Sequence, residues 1–213
     1  MDQSSASPTA PEDGLLGRLH QRLAYQRRVE VLAGHLAEVL PEGSRVLDVG
    51  CGDGLIDRLV QERRPDVRVE GIDVLLRPRT FVPVSRFDGR RIPHADGSVD
   101  AVLFVDVLHH TSDPLVLLSE AVRVARRCVV IKDHARDGFL AGPSLRFMDW
   151  VGNRRHGVSL PYNYWTEARW RSAFQGLGVT PELWRRDLGL YRGLPHLLFD
   201  RSLHFLARLV PAR

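Results

Sequence analysis

Three glycines at alternate positions, set among aspartates, form the stretch best suited to chemistry: Asp48-Val49-Gly50-Cys51-Gly52-Asp53-Gly54. Without a Cβ, glycine lets the chain turn sharply and pass close to a ligand. A dinucleotide fingerprint needs a third small residue where this chain has Leu55, and a phosphate loop needs Gly-Lys-Ser/Thr, which is absent. Asp48 and Asp53 would be poor neighbours for a pyrophosphate. They suit a ligand with a cationic centre and an ammonium group. Further acids, Asp73, Asp88, Asp106 and Asp133, each lie near the end of an apolar run, and His109, His110, Lys132 and His134 stand close to the last two.

The elements that must position these residues alternate. Val46, Leu47 and Val49 read as a strand buried on both faces. Leu55, Ile56, Leu59 and Val60 then fall at helical spacing, predicting a helix to about Arg64. Val67–Asp73 reads as a second strand, Val82–Phe87 as a third and Val99–Val107 as the strongest of all. Pro114 opens a helix capped by Thr111, Ser112 or Asp113. Cys128–Ile131 is the fifth strand, running into Lys132-Asp133-His134. Such alternation implies a parallel sheet with helices on both faces, and ligands bind beyond the carboxyl ends of its strands. Before it, Leu15–Leu40 reads as one long helix or two. After it, Ala135–Trp165 breaks the rhythm and is rich in aromatics. Thr166 caps a helix to Leu177, and Leu183–Leu190 with Leu203–Leu209 reads as a closing antiparallel hairpin.

The glycine-loop segment resembles the first motif of class I S-adenosylmethionine (SAM)-dependent methyltransferases. Gly71-Ile72-Asp73 resembles the family's second strand with its ribose-binding acid, and Phe87-Asp88-Gly89 with Ile92-Pro93 its adenine-side loop. Val99–Val102 through His109-His110 resembles the fourth strand and the segment after it. The resemblance spans roughly residues 28–133 and is nearest to the small-molecule branch that includes ubiquinone and menaquinone methyltransferases. It implies a Rossmann-like α/β fold, a mostly parallel seven-stranded sheet with a C-terminal antiparallel strand, and an insertion after strand five. It implies SAM as cofactor, held by Asp48, Gly50, Cys51, Gly52, Gly54, Asp73, Asp88 and Gly89, with the main chain at Val105 and Asp106 receiving the ammonium group.

The expected acceptor is a small molecule, methylated on oxygen or carbon. Phe139, Phe147, Trp150, Tyr162, Tyr164 and Trp165 form either its pocket or a private mini-core, with Trp150, Tyr162 and Tyr164 the substrate-side candidates. His134, Asp133 and His109 are the candidates for acid–base work. A carboxylate beside His134 is expected to raise its pKa.

Composition bounds the rest. The chain has 213 residues, formal charge +4 and two cysteines, Cys51 and Cys128, in no metal-binding or disulfide pattern. No metal is expected, and the absence of disulfide spacing fits a cytoplasmic protein. Residues 1–14 read as a disordered tail and 15–213 as one methyltransferase domain, with 135–165 a substrate-side insertion. The basic excess is almost all arginine and reads as solvated surface, so no nucleic-acid partner is expected. No segment has transmembrane length. Peripheral membrane contact through the basic first helix is left open, against a plain packing role. An RNA or protein methyltransferase and a SAM-binding protein without catalysis are the alternatives.

Overall fold

The computed structural model describes the backbone of residues 15–138, 141–146, 163–191 and 203–212, with side chains from Tyr25 onward. The expected tail and Phe139, Phe147, Trp150 and Tyr162 lie outside the described residues. The elements are α1 (Leu15–Val39), β1 (Arg45–Val49), α2 (Leu55–Arg63), β2 (Arg68–Asp73), β3 (Val84–Arg86), β4 (Val99–Val105), α3 (Pro114–Val124), β5 (Ala125–His134), α4 (Glu167–Gly176), β6 (Val179–Arg185) and β7 (His204–Pro211). A 3₁₀ turn at Leu108–His110 follows β4, and residues 141–146 are helical.

The strands form one sheet in the order β3-β2-β1-β4-β5-β7-β6. The first five are parallel; β7 runs antiparallel to both neighbours. β1 and β4 sit at its centre, which is why both are largely apolar: Val46, Leu47, Val49 and Ala101–Phe104 are all buried. One face packs Leu47, Val49, Val102 and Phe104 against Leu117, Leu118, Trp170 and Phe174 of α3 and α4. The other packs Val46, Ala101, Leu103 and Val130 against Leu32, Leu36 and Val60 of α1 and α2. Each fully buried leucine or valine contributes about 1.5–3 kcal/mol.

Local chemistry ends the elements that border the site. Asp113 caps α3 by accepting from Leu115 N–H at 3.0 Å, and Pro114 takes the first helical position, where no N–H is needed. Thr166 caps α4 through Arg169 N–H. The Trp170 indole N–H donates to the His134 carbonyl at 3.1 Å, fixing α4 to the end of β5.

The C-terminal hairpin departs from expectation. The strand begins at Val179, not Leu183, and ends at Arg185. Leu188 and Leu190 are buried, but under α1 and in irregular chain, where His35 Nε2–H donates to Leu188 O (2.9 Å) and Arg27 to Gly189 O (3.1 Å). Their spacing marks packing rather than pairing. Pro181 is tolerated because β6 is an edge strand with a register shift there. The third and fourth strands are also shorter than their apolar runs, since the chain turns at Asp88 and at Asp106. β5 is longer, extending through His134.

Candidate functional site

β1 delivers the chain into the glycine loop, and each glycine there has positive φ: Gly50 81°, Gly52 63°, Gly54 75°. Three backbone bonds fasten the loop: Gly50 N–H to Ile72 O (2.7 Å), Gly54 N–H to Cys51 O (3.0 Å) and Phe81 N–H to Asp53 O (2.8 Å). The glycines are not equivalent. A Cβ on Gly50 would lie 2.6 Å from Val107 Cγ2, and one on Gly54 2.5 Å from Val82 Cγ2, whereas one on Gly52 would meet nothing within 4 Å. Gly52 therefore faces open space. Cys51 turns away from that space: a Cβ on Gly71 would lie 2.2 Å from its Sγ, so β2 crosses directly over the thiol. Burial, then the neighbouring acids, push that thiol far up, so it stays protonated.

Asp73, at the end of β2, is buried and doubly held: Oδ2 accepts from Gly52 N–H and Oδ1 from Leu75 N–H, both at 2.8 Å. Asp88 lies exposed at the end of β3, its Oδ1 accepting from Arg90 and Arg91 N–H. Those bonds hold its pKa down. A Cβ on Gly89 would lie 3.0 Å from Val74, so the ends of β2 and β3 meet there.

Beneath the loop, Asp48 meets a partner that strand-one reasoning missed: Asp57, in the first turn of α2. Both are buried, 3% and 1% exposed. Burial pushes Asp57 up to about 7, and burial with the neighbouring Asp57 charge pushes Asp48 well above the carboxylate range. Two neighbouring buried carboxyls do not both ionise, so the pair retains a proton. An acid in a helix's first turn ordinarily reads as a dipole partner, so only the packing discloses the pair. Between an ordinary carboxyl value near 4 and about 7, the folded state binds more protons than the unfolded one. Stability therefore falls as pH rises through that window. Asp57→Asn should flatten this dependence, measured as thermal midpoints at about pH 5 and about pH 8. Equal slopes in the two proteins would remove the buried carboxyl pair as their cause.

The carboxyl ends of β4 and β5 bring together a second group. Asp106 has φ 57°, the one described non-glycine residue with positive φ. Its N–H donates to Lys132 O (2.8 Å), and its carboxylate pairs with Lys132 of β5 and Arg28 of α1. The side chain, and not the main chain alone, thus carries the interactions at this position. Lys132, the sole lysine in the chain, is fully buried and also donates to His204 Nδ1 (3.1 Å). Burial raises the Asp106 carboxyl, but Lys132 and Arg28 outweigh that and hold it well below the usual range. Burial pulls Lys132 down against its bond to Asp106.

On the opposite face of β5, Asp133 is fully buried. Its Oδ1 accepts from His109 Nδ1–H at 2.6 Å and from His134 N–H at 2.7 Å, while Oδ2 accepts from Leu108 N–H at 2.9 Å. Burial works against its charge, but His109 and the hydrogen bonds prevail and hold it below the carboxylate range. The expected alternation of Lys132 and Asp133 is present. The imidazole closest to Asp133 is that of His109, however; His134 Nδ1 lies 3.4 Å from Asp133 Oδ1 and 3.7 Å from Asp106 Oδ1. The expected rise in the His134 pKa is overturned: burial, then Lys132, lower it despite Asp133. His204 is lowered further, again by burial first. Tyr164 stacks on His109 at 5.4 Å, and its hydroxyl donates to Leu145 O within a small cluster with Ala141 and Leu203. That places Tyr164 in a mini-core that also backs His109.

Two triplets, Asp106/His134/His204 and His109/Asp133/His134, have ligand atoms within 4.8 Å of one another. In the first, the Lys132 ammonium stands between Asp106 and His204 and supplies the positive charge itself.

This is a Rossmann-like α/β fold with a glycine cradle beside an acid at the end of β2, the architecture of class I methyltransferases. The family model of the methyltransferase domain matches residues 18–182, and the chain belongs to that family, whose cofactor is SAM. Among curated relatives, a 2-methyl-6-phytyl-1,4-hydroquinone methyltransferase of Synechocystis sp. is 28% identical over 138 residues, covering 60% of this chain and 38% of that protein. A ribosomal RNA small subunit methyltransferase G of Frankia alni is 45% identical over 67 residues, 32% of this chain and 24% of that protein. The matches to these relatives thus span well under half of their length. Among solved structures, the methyltransferase complexed with the Haloferax volcanii Trm112 activator superposes with TM-score 0.68 at 17% identity, covering 96% of this chain and 100% of that one.

Proposed function

We propose that this chain transfers a methyl group from SAM to an oxygen or carbon of a small, apolar molecule, with His109 as the proton acceptor and Asp133 as the residue that positions it. The observation that carries the reading is the buried His109–Asp133 bond at 2.6 Å, at the carboxyl ends of β4 and β5. SAM supplies a sulfonium-bound methyl group and leaves as a neutral thioether.

The residues fit that cofactor. Gly52 faces open space at a φ that glycine favours, so the main chain can approach the methionine portion. Asp73 is held by two N–H groups with its remaining acceptor capacity available to ribose hydroxyls. Asp88 and Gly89 are the adenine-side residues of this reading, and the turn after Val105 adjoins the loop, where Val107 meets Gly50. Asp48 supports the loop from beneath.

His109 does the acid–base work. Asp133 accepts a hydrogen bond from Nδ1–H, which leaves the lone pair on Nε2. As the new bond to a hydroxyl acceptor forms, Nε2 takes the acceptor's proton, and the ionised Asp133 stabilises the imidazolium. His134, kept neutral, fills the space between the two carboxylates.

A small apolar acceptor is supported by the relative named for a phytyl hydroquinone. The relative named for ribosomal RNA aligns over a third of this chain, too little to carry an acceptor. The test is labelled SAM added to an extract from cells lacking this protein, with and without nuclease. Label in an organic-soluble, nuclease-resistant product is expected; label lost to nuclease would establish RNA as the acceptor.

A further inference from the structure

Among the described residues, six large apolar side chains are exposed: Tyr25, Val74, Leu75, Leu76, Phe81 and Leu115. They are not scattered. Val74, Leu75, Leu76 and Phe81 belong to the loop leaving the carboxyl end of β2, and Phe81 is tied by its N–H to Asp53 of the glycine loop. Tyr25 lies near enough to Asp53 for that carboxylate to raise its phenol, after burial. Leu115 is in the first turn of α3, just beyond the carboxyl end of β4. All six sit at the end of the sheet where the ligand crevice opens. Val74 faces Gly89 and belongs to the crevice itself, Leu115 lines a groove between α3 and α4 beside Trp165 and Leu177, and Tyr25, Leu75, Leu76 and Phe81 are exposed.

The charge is gathered there too. Residues 74–91 contain five arginines, Arg77, Arg79, Arg86, Arg90 and Arg91, against the single acid Asp88, a net four positive charges. That equals the formal charge of the whole chain, so the remainder is balanced. Arg79, Arg86, Arg90 and Arg91 are exposed, and none of the five forms an ion pair with another described residue.

We propose that this rim, Leu75-Leu76-Arg77-Pro78-Arg79 with Phe81 and Tyr25, is a docking surface for an anionic lipid bilayer. Exposed aliphatic side chains enter the boundary between headgroups and acyl chains, and adjacent arginines meet the lipid phosphates. The aliphatic residues favour a bilayer over RNA. A single-strand RNA surface exposes flat rings for stacking and hydrogen-bonding groups for base edges; Phe81 and Tyr25 suit either partner, but Leu75 and Leu76 offer neither rings nor hydrogen bonds and suit the bilayer. Docked this way, the crevice opens toward the membrane, so an apolar acceptor enters without crossing water. The attachment does not depend on which acceptor is methylated, because it is measured without turnover.

The test is flotation of the full chain with vesicles of phosphatidylcholine alone or mixed with phosphatidylglycerol, with SAM affinity measured by calorimetry as the control for an intact fold. Wild type is expected to float with the anionic vesicles and not with the neutral ones, and to be released by salt. Each arginine near an anionic surface is worth about fivefold in partitioning. Arg77→Glu/Arg79→Glu should therefore lose at least about 25-fold. Leu76→Glu should lose about tenfold or more by placing a carboxylate in the apolar boundary. Both variants should keep wild-type SAM affinity. Wild type remaining below anionic vesicles at low salt would overturn the proposal, as would variants that float like wild type. Retention of a single-stranded RNA at the same salt, lost in the same variants while vesicles are ignored, would reassign the surface to nucleic acid.

Discussion

Asp133→Asn should lower turnover by about 10²–10⁴-fold, the usual contribution of general acid–base catalysis, with SAM affinity unchanged. Asp133 accepts three N–H groups: His109 Nδ1–H, Leu108 N–H and His134 N–H. An amide of the same shape has one accepting oxygen and one donating nitrogen. It cannot satisfy three donors, and it favours the His109 tautomer with the lone pair on Nδ1. Nε2 then carries a proton and cannot take one from the acceptor. The structural cost of leaving a buried donor unpaired is about 1–3 kcal/mol, so denaturation must accompany the kinetics. For a hydroxyl acceptor, turnover of the variant should recover partly at high pH, where the acceptor ionises unaided. A merely structural role for Asp133 would not give that pH recovery. A folded Asp133→Asn protein with wild-type turnover across the pH range would remove His109 as the proton acceptor.

The second large effect is on binding. Gly52→Val should weaken SAM affinity by at least about 100-fold, or roughly 2.8 kcal/mol. The new side chain projects into the space that holds nothing within 4 Å of the added Cβ. Its folding cost is the strain of a β-branched residue at φ 63°, about 1–2 kcal/mol. The same change at Gly50 or Gly54 would be a different experiment, since there the Cβ collides with Val107 or Val82 and the fold itself suffers. Calorimetry on folded Gly52→Val protein decides the matter: unchanged SAM affinity would mean that the open side of the loop is not where the cofactor lies.

What the chain declares locally is legible in the bare sequence. Glycine at alternate positions after a buried run means a tight, positive-φ turn wherever it is placed, because the constraint is the missing Cβ. Apolar runs with β-branched residues locate β1, β2, β4 and β5, and Thr166 and Asp113 act as caps through bonds to residues two or three positions away. Strand alternation is enough to send Lys132 and Asp133 to opposite faces.

The partners of those side chains were decided by tertiary structure. Asp48 and Asp57 raise one another's proton affinity because a helix folds back under its strand. Arg28 reaches Asp106 across 78 residues, and His204 reaches Lys132 across 72. Asp133 chose His109 over its chain neighbour His134 because the turn after β4 aims Nδ1 at its carboxylate, while the strand turns the next ring aside. The lowered pKa of His134 has the same origin: adjacent sequence predicts a carboxylate raising it, but desolvation and the Lys132 ammonium act on it only once the sheet is closed. Leu188 and Leu190 make the point for secondary structure. Their alternation looks like a strand, yet α1 supplies the apolar cover and two side-chain donors to their carbonyl region, so the segment is buried without pairing. Periodicity and glycine placement are properties of a segment and survive in the bare sequence. Hydrogen-bond partners, proton affinities and the choice between pairing and packing depend on which segments meet, and that is a property of the fold.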